Sequence, residues 1–311
     1  MSLTSRRSRP LVAGCRKCQR RNRLRSDAHV PRYTYASAGG LNHRMLLLRS
    51  DTVEQGANVT AHFRSSDAKL QPLAEAYGPS RIRLAGADLT SEEAVVSLFN
   101  AASLETSFGP VEVVIINHAT SASGWTAVKD ISLKQWESTM NDNLTSSFLV
   151  AREYLRELQQ GVAPGKVLGT NRFGQRASIV LVGSTAGKYG EAGNADYAAS
   201  KSAIMYGFML SLKNEIVSIA PRGRVNCIAP GWTRTPMAVE PLKDPLTVYR
   251  ALATTPLKKV AEPEDIANQI AVIASSKLSG HVTGQVVMVE GGMEGRLQNM
   301  PKDLDLPGNI E

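Results

Sequence analysis

The chain has 311 residues, 42% of them hydrophobic, enough to bury one large core, and no apolar run approaches the roughly eighteen residues of a membrane span. Its net charge of +8 is not spread evenly: residues 1–50 hold twelve Lys or Arg against the single acid Asp27, which leaves 24 basic and 27 acidic residues, a net of −3, for the remainder. Three cysteines cannot make a disulfide framework in a chain of this size, so a soluble protein of a reducing, cytoplasmic compartment is expected, with mitochondrial import the minority reading of the acid-poor start.

Residues 1–33 are rich in Arg and Ser, are interrupted by Pro10 and Gly14, and show no sustained period, so they read as a disordered basic extension. Cys15 and Cys18 look superficially like the opening of a zinc-cluster DNA-binding module, but the further cysteines such a module needs do not follow, and no metal site is expected. Nucleic acid is not expected as a partner either; a disordered basic tail binds polyanions without that being its task.

From Gly56 a regular alternation begins. Val59 to Phe63 is a short strand that ends in Arg64-Ser65-Ser66, Asp67 to Tyr77 reads as a helix, and Arg81 to Ala85 is the next strand, leading to Asp88-Leu89-Thr90. Ser91 to Phe108 has the marks of a helix: a cap in Thr90 or Ser91, Glu92 and Glu93 in the first turn, and Val95, Leu98, Phe99 and Ala102 along one face. Val111 to Ile116 is a core strand followed by Asn117-His118-Ala119-Thr120, where His118 reads as a neutral histidine beside a buried strand. Trp136 to Ala151 is helical and carries Asn143, a weak helix former whose presence in a helix interior asks for a reason. Gln159 to Arg176, rich in Gly, reads as a surface loop.

Ile179 to Val182 is a buried strand closed by Gly183, which puts Ser184 at its carboxyl end. From Asp196 the chain turns helical, and Tyr197 and Lys201, four residues apart, share one helical face. An ammonium beside a phenol favours the phenolate and draws its pKa down from about 10, so Tyr197 can act as acid or base while the Ser184 hydroxyl holds a substrate oxygen. Met205, Phe208, Met209 and Leu212 read as packing, Arg224 to Ala229 as a strand, Pro230-Gly231 as a turn, and Val282 to Val289 as the last strand. Strands alternating with helices imply right-handed crossovers and a single α/β, doubly wound, Rossmann-like parallel sheet.

Ser184, the Tyr-x-x-x-Lys pair Tyr197 and Lys201, and Asn226-Cys227-Ile228-Ala229-Pro230-Gly231 together resemble the short-chain dehydrogenase/reductase family over roughly residues 56 to 293. The resemblance implies an oxidoreductase that passes hydride between a nicotinamide and a carbonyl or secondary alcohol, with Ser184, Tyr197, Lys201 and Asn143 as the catalytic set. Asn143 would hold a water that relays protons to Lys201. It implies a cofactor held by Arg64, Asp88, Asn117, Tyr197, Lys201, Thr233 and Thr235. An acid at the end of the second strand would bind a ribose 2′-hydroxyl; Arg64 with Ser65 and Ser66 suits a 2′-phosphate, so NADP is expected over NAD. The resemblance implies a small carbonyl or alcohol substrate, covered by the apolar stretch of Met237, Leu242, Leu246, Tyr249 and Leu252, and a homo-oligomer, tetramer or dimer.

The departure is at the start. Where the family has Thr-Gly-x-x-x-Gly-x-Gly, this chain has Thr34-Tyr35-Ala36-Ser37-Ala38-Gly39-Gly40-Leu41, with Tyr35 and Leu41 in glycine positions and no apolar strand ahead of them. Either the first βα unit is irregular, improvised from this sequence, or it is absent and the sheet lacks a central strand. Because the catalytic residues are kept but the phosphate-gripping glycine loop is not, the alternative is a cofactor-impaired, non-enzymatic relative of the family. The expected organisation is an extension over 1–50, the catalytic domain over 51–296, and a loose tail over 297–311.

Overall fold

The computed structural model describes residues 32–36, 57–104, 108, 111–121, 124–160, 175–295 and 299–306. Seven strands are present among them: β1 (Arg32–Ala36), β2 (Asn58–Phe63), β3 (Ile82–Gly86), β4 (Val113–Ile116), β5 (Ser178–Val182), β6 (Arg224–Pro230) and β7 (Val286–Val289). They form one all-parallel sheet in the order β3-β2-β1-β4-β5-β6-β7, so the winding reverses between β1 and β4 and leaves a crevice at their carboxyl ends. β4, β5 and β6 are buried along their whole length, as both faces of a parallel sheet are covered; this is why their sequences run apolar without alternating.

β1 is the improvised element. Its Arg-Tyr-Thr-Tyr-Ala sequence is short of aliphatics but supplies aromatic and β-branched residues, which suit a pleated strand. It pairs on both sides: Tyr33 stands opposite Val59 and Val113, and Tyr35 opposite Ala61 and Ile115. Thr34, Tyr35 and Ala36, read from the sequence as the start of a glycine turn, are therefore strand, and the sheet takes in five residues of the stretch read as an extension. Gly39, Gly40, Leu41, Cys15 and Cys18 lie outside the described residues, as does most of the loop expected over Gln159–Arg176.

Helices cover both faces. On one, α2 (Glu92–Leu104), α4 (Ser146–Gln160) and α7 (Met209–Ile219) bury Leu98, Phe99, Val150, Tyr154, Met209 and Ile216 against Val114, Ile116, Ile179 and Leu181. On the other, α1 (Gln71–Tyr77) and α10 (Pro263–Ala274) close over Val59, Ile115, Val180 and Ile228. Between them in chain order lie α3 (Leu133–Met140), α5 (Thr185–Tyr189), α6 (Ala195–Ser202), α8 (Pro236–Val239) and α9 (Pro245–Leu252).

Two helices are interrupted without being broken. α3 passes into α4 through a π-turn at Asn141–Thr145, and α6 into α7 through another at Ala203–Phe208. The first has a local cause: Asn141, Asp142 and Asn143 are poor helix formers, and the Ser146 and Ser147 hydroxyls donate back to Asp142 O (2.7 Å) and Asn143 O (2.5 Å), competing with the regular ladder. The C-terminal segment also departs from expectation. The tail is not loose over 299–306, because Leu304 and Leu306 pack on a small cluster of Val248, Ala251, Leu252 and Val260.

Candidate active site

Ser184 follows the carboxyl end of β5, and Lys201 reaches the same end beside Tyr197. Ser184 caps α5, accepting from Ala186 N at 3.2 Å, and this leaves its own O–H as a donor. Lys201 is 2% exposed, and its Nζ donates to Val182 O at 2.8 Å and stands 5.8 Å from the centre of the half-buried Tyr197 ring. A glycine sets the approach of α5 to α6: a Cβ at Gly187 would lie 2.9 Å from Lys201 C and Ser202 N and 2.8 Å from Met205 Sδ, so only hydrogen fits.

Asp196, which the sequence reading passed over, anchors the tyrosine. It is 1% exposed, its Oδ1 accepts from Tyr197 N (2.9 Å), and its Oδ2 accepts from Thr139 Oγ1 (2.8 Å) and Gln135 Nε2 (3.1 Å), tying the start of α6 to α3. Burial works against its charge, but these donors prevail and hold the carboxyl below the usual range. An acid in the first turn of a helix was the available signal, and it has two bland explanations, cap and dipole.

Asn143 is fully buried at the π-turn, and its side chain is committed. Oδ1 accepts from Thr120 N (2.7 Å), while Nδ2 donates to Thr120 O (2.9 Å) and Ser200 Oγ (3.0 Å), next in sequence to Lys201. With both amide protons used, it is a brace between the β4 loop and α6. His118 lies in the same layer. The single Ser146 hydroxyl proton goes to Asp142 O, so Ser146 Oγ accepts from His118 Nε2–H at 2.5 Å, and Nδ1 is a buried acceptor with no hydrogen-bond partner. Burial, with the positive charges of Lys201, His62 and Arg64 behind it, pushes the imidazole down to about 3, so His118 is neutral and not an acid or base near pH 7.

The expected cofactor residues line the same edge. Arg64, at the end of β2 with its side chain 35% exposed, donates to Asp88 Oδ2 at 3.0 Å and stands 3.8 Å from Asp142, with exposed Ser65 and Ser66 beside it. Asp88 is turned by Thr90, whose amide (3.0 Å) and hydroxyl (2.7 Å) both donate to Oδ1; the amide first, then the hydroxyl and Arg64, outweigh burial and lower its pKa. Arg64 is thus shared with two carboxylates, a coupling that nothing in the sequence spacing announces. Asn117 follows β4 and is half-buried; Thr233 and Thr235 follow β6 and are 4% and 7% exposed, and Thr233 donates to Gly231 O at 3.0 Å. A Cβ at Gly231 would stand 2.9 Å from Glu290 Cβ, which accounts for a glycine where β6 leaves the sheet. Of the expected apolar cover, Leu242 and Leu252 are packed, Leu246 is exposed, and the Met237 side chain lies outside the described residues. Among the described residues there is no cluster of side chains suited to a metal ion and no helix long and apolar enough to cross a membrane.

A family model described as enoyl-(acyl carrier protein) reductase matches residues 50–294. The chain is 31% identical to the 3-oxoacyl-(acyl-carrier-protein) reductase MabA of Mycobacterium tuberculosis over 206 residues, covering 66% of this chain and 74% of that one. It is 30% identical to 3beta-hydroxysteroid dehydrogenase 1 of Eggerthella lenta over 244 residues, covering 77% and 85%. Among solved structures, a short-chain dehydrogenase/reductase described as a glucose/ribitol dehydrogenase, from Brucella melitensis, superposes with a TM-score of 0.70 at 25% identity, covering 86% of this chain and 97% of that one.

Proposed function

The chain belongs to the short-chain dehydrogenase/reductase family of oxidoreductases, and from that premise we propose that it is an NADP(H)-dependent enzyme acting on a carbonyl or secondary alcohol, with Tyr197 as its acid and base. The observation that carries the reading is a buried ammonium, Lys201, set against the Tyr197 ring and across the Gly187 contact from a serine whose proton is free to donate. When bound, NADP(H) supplies or accepts the hydride. Arg64 with Ser65 and Ser66 would hold the 2′-phosphate, Asp88 the adenine end, Asn117 the middle, Thr233 and Thr235 the nicotinamide end, and Tyr197 with Lys201 the nicotinamide ribose. The donor chemistry supports this: an exposed guanidinium and two hydroxyls stand at the end of β2, and the acids beside them, Asp88 and Asp142, face Arg64.

The chain's own residues handle the proton. Ser184 donates to the substrate oxygen and fixes it, Tyr197 gives the oxygen a proton in reduction and removes it in oxidation, and Lys201 favours the phenolate left behind. Asn143 and Asp196 keep Tyr197 and Lys201 in place by bracing α6 from two sides. The names of the relatives point to 3-oxo and 3-hydroxy compounds as the substrate class. A homo-oligomer of the cytoplasm, tetramer or dimer, fits the same reading.

Two measurements test it. Fluorescence titration should show NADPH bound more tightly than NADH, and Tyr197→Phe should lower kcat by about 10²–10⁴ with 3-oxoesters. The cofactor-impaired alternative rests on Tyr35 and Leu41 in glycine positions; no NADPH binding near millimolar would establish it in place of our reading. A Tyr197→Phe variant as fast as the parent would remove the phenol from the chemistry.

A further inference from the structure

Arg64 stands where three elements meet, and each of its terminal nitrogens faces a different acid. Nη2 donates to Oδ2 of Asp88, which follows β3, at 3.0 Å, and Nη1 stands 3.8 Å from Oδ1 of Asp142 in the π-turn between α3 and α4. The two acids are not equivalent. Asp88 holds Arg64 in a hydrogen bond, and its other oxygen is fixed by the amide and hydroxyl of Thr90, so it sets the direction of the guanidinium. Asp142 lies beyond hydrogen-bond reach of Nη1, which leaves that side of the guanidinium able to donate to another acceptor.

Asp142 is itself anchored. Its Oδ2 accepts from Thr120 Oγ1 (3.2 Å), its backbone carbonyl accepts from Ser146 Oγ (2.7 Å), and its side chain is 20% exposed. A carboxylate held in this way does not turn out into water when a second anion comes to Arg64, so its charge stays beside the guanidinium. A bidentate grip on a phosphate uses two N–H groups of the fork. With one side taken by Asp88, a phosphate oxygen goes to the Nη1 side, and there it meets Asp142. Two anions then share one cation at a partly buried place, where water and salt screen their repulsion less than at an open surface.

We propose that Asp142 is a specificity-determining residue for the cofactor, a fixed carboxylate that competes with the ribose 2′-phosphate for Arg64 and so sets how far NADP(H) is preferred over NAD(H). The inference rests on the NADP(H) reading above. Because a ribose 2′-hydroxyl carries no charge, the competition is felt by the phosphorylated cofactor alone. Asp142 thus holds the affinity for NADP(H) below what Arg64, Ser65 and Ser66 would give without it.

The test is a fluorescence titration of NADPH and of NADH into the full chain and into Asp142→Asn, which removes the charge and keeps an oxygen for Thr120 Oγ1. Kd for NADPH should fall by about five- to tenfold, while Kd for NADH stays within about twofold. The gain should shrink between about 0.05 and 0.5 M salt, since it comes from charge. A merely structural role, exerted through the hydrogen bonds between Thr120 and Asn143, would move both cofactors together and would not respond to salt. Asp142→Glu keeps the charge and extends it one methylene toward Arg64. It should raise Kd for NADPH by about threefold with NADH unmoved, and it gives a reading even if Asp142→Asn fails to fold. A parent that binds NADPH no more tightly than NADH overturns the NADP(H) reading and this inference with it. A parent that prefers NADPH, with that preference unchanged in either variant, overturns this inference alone.

Discussion

His118 is buried just after β4, and its burial has a measurable cost. The unfolded chain protonates this imidazole near pH 6.5, whereas the folded one holds it neutral down to about 3. Below about 6.5 the unfolded state therefore binds a proton that the native state refuses, and stability falls with pH by about 1.4 kcal/mol per unit until the folded value is reached. His118→Asn should remove this share, so that the loss of stability between pH 7 and pH 5 shrinks by roughly 2 kcal/mol, read from urea midpoints at the two values. Parallel losses in parent and variant would mean that His118 is already solvated. Cys227, on β6 and equally buried, is pushed up to about 12 by burial and is a packing residue, not a nucleophile.

At the scale of elements, the site depends on how closely α5 meets α6. The fit at Gly187 leaves no room for a methyl against the Lys201 and Ser202 backbone, which cannot yield as a flexible side chain would. Gly187→Ala should cost about 1–3 kcal/mol of stability, as overpacking does, and should also lower kcat, because the added carbon drives the Ser184 turn away from Tyr197 and Lys201. Thermal melts and steady-state rates check both halves. A variant with a lower melting temperature and parental kcat would show that the two helices separate without disturbing the chemistry. The π-turns beside Asn143 and after Lys201 belong to the same scale: each carries part of the braced layer in place of a straight helix.

Across the whole molecule, chemistry and stability sit at opposite ends of the sheet. At the amino end of β6, Arg224 is 4% exposed and its two terminal nitrogens donate to Ile273 O and Ala274 O, each at 2.7 Å, closing the last turn of α10. The positive charge also suits the negative end of that helix. Near it, the Tyr154 hydroxyl donates to Glu112 O and accepts from Ser178 N, which joins the starts of β4 and β5 from α4. Arg224→Met should cost about 3 kcal/mol or more, since it strips two buried carbonyls of charged donors. The folded fraction should keep parental KM for cofactor and substrate, measured after separation from aggregate. A change in either KM would mean that the two ends of the sheet are coupled.

The sequence by itself determined most of the sheet and the placing of Ser184, Tyr197 and Lys201, because both are local matters. Ile179 to Val182 is apolar at the period of a buried strand, Tyr197 and Lys201 are one helical turn apart, and no long-range information is needed to read either. It also located Asn143 by its poor fit to a helix. What its side chain braces was not legible, since that depends on which groups the fold brings to it, here the Thr120 backbone and the Ser200 hydroxyl. β1 was the hardest to read, because Arg-Tyr-Thr-Tyr-Ala has no strong apolar signal and is a strand through pairing with β2 and β4 on either side. Arg64 shared between Asp88 and Asp142, and Asp196 at the foot of Tyr197, join residues far apart in the chain. Only the tertiary structure could decide those, since a hydrogen bond is set by distance in space and the spacing of residues in sequence does not record it.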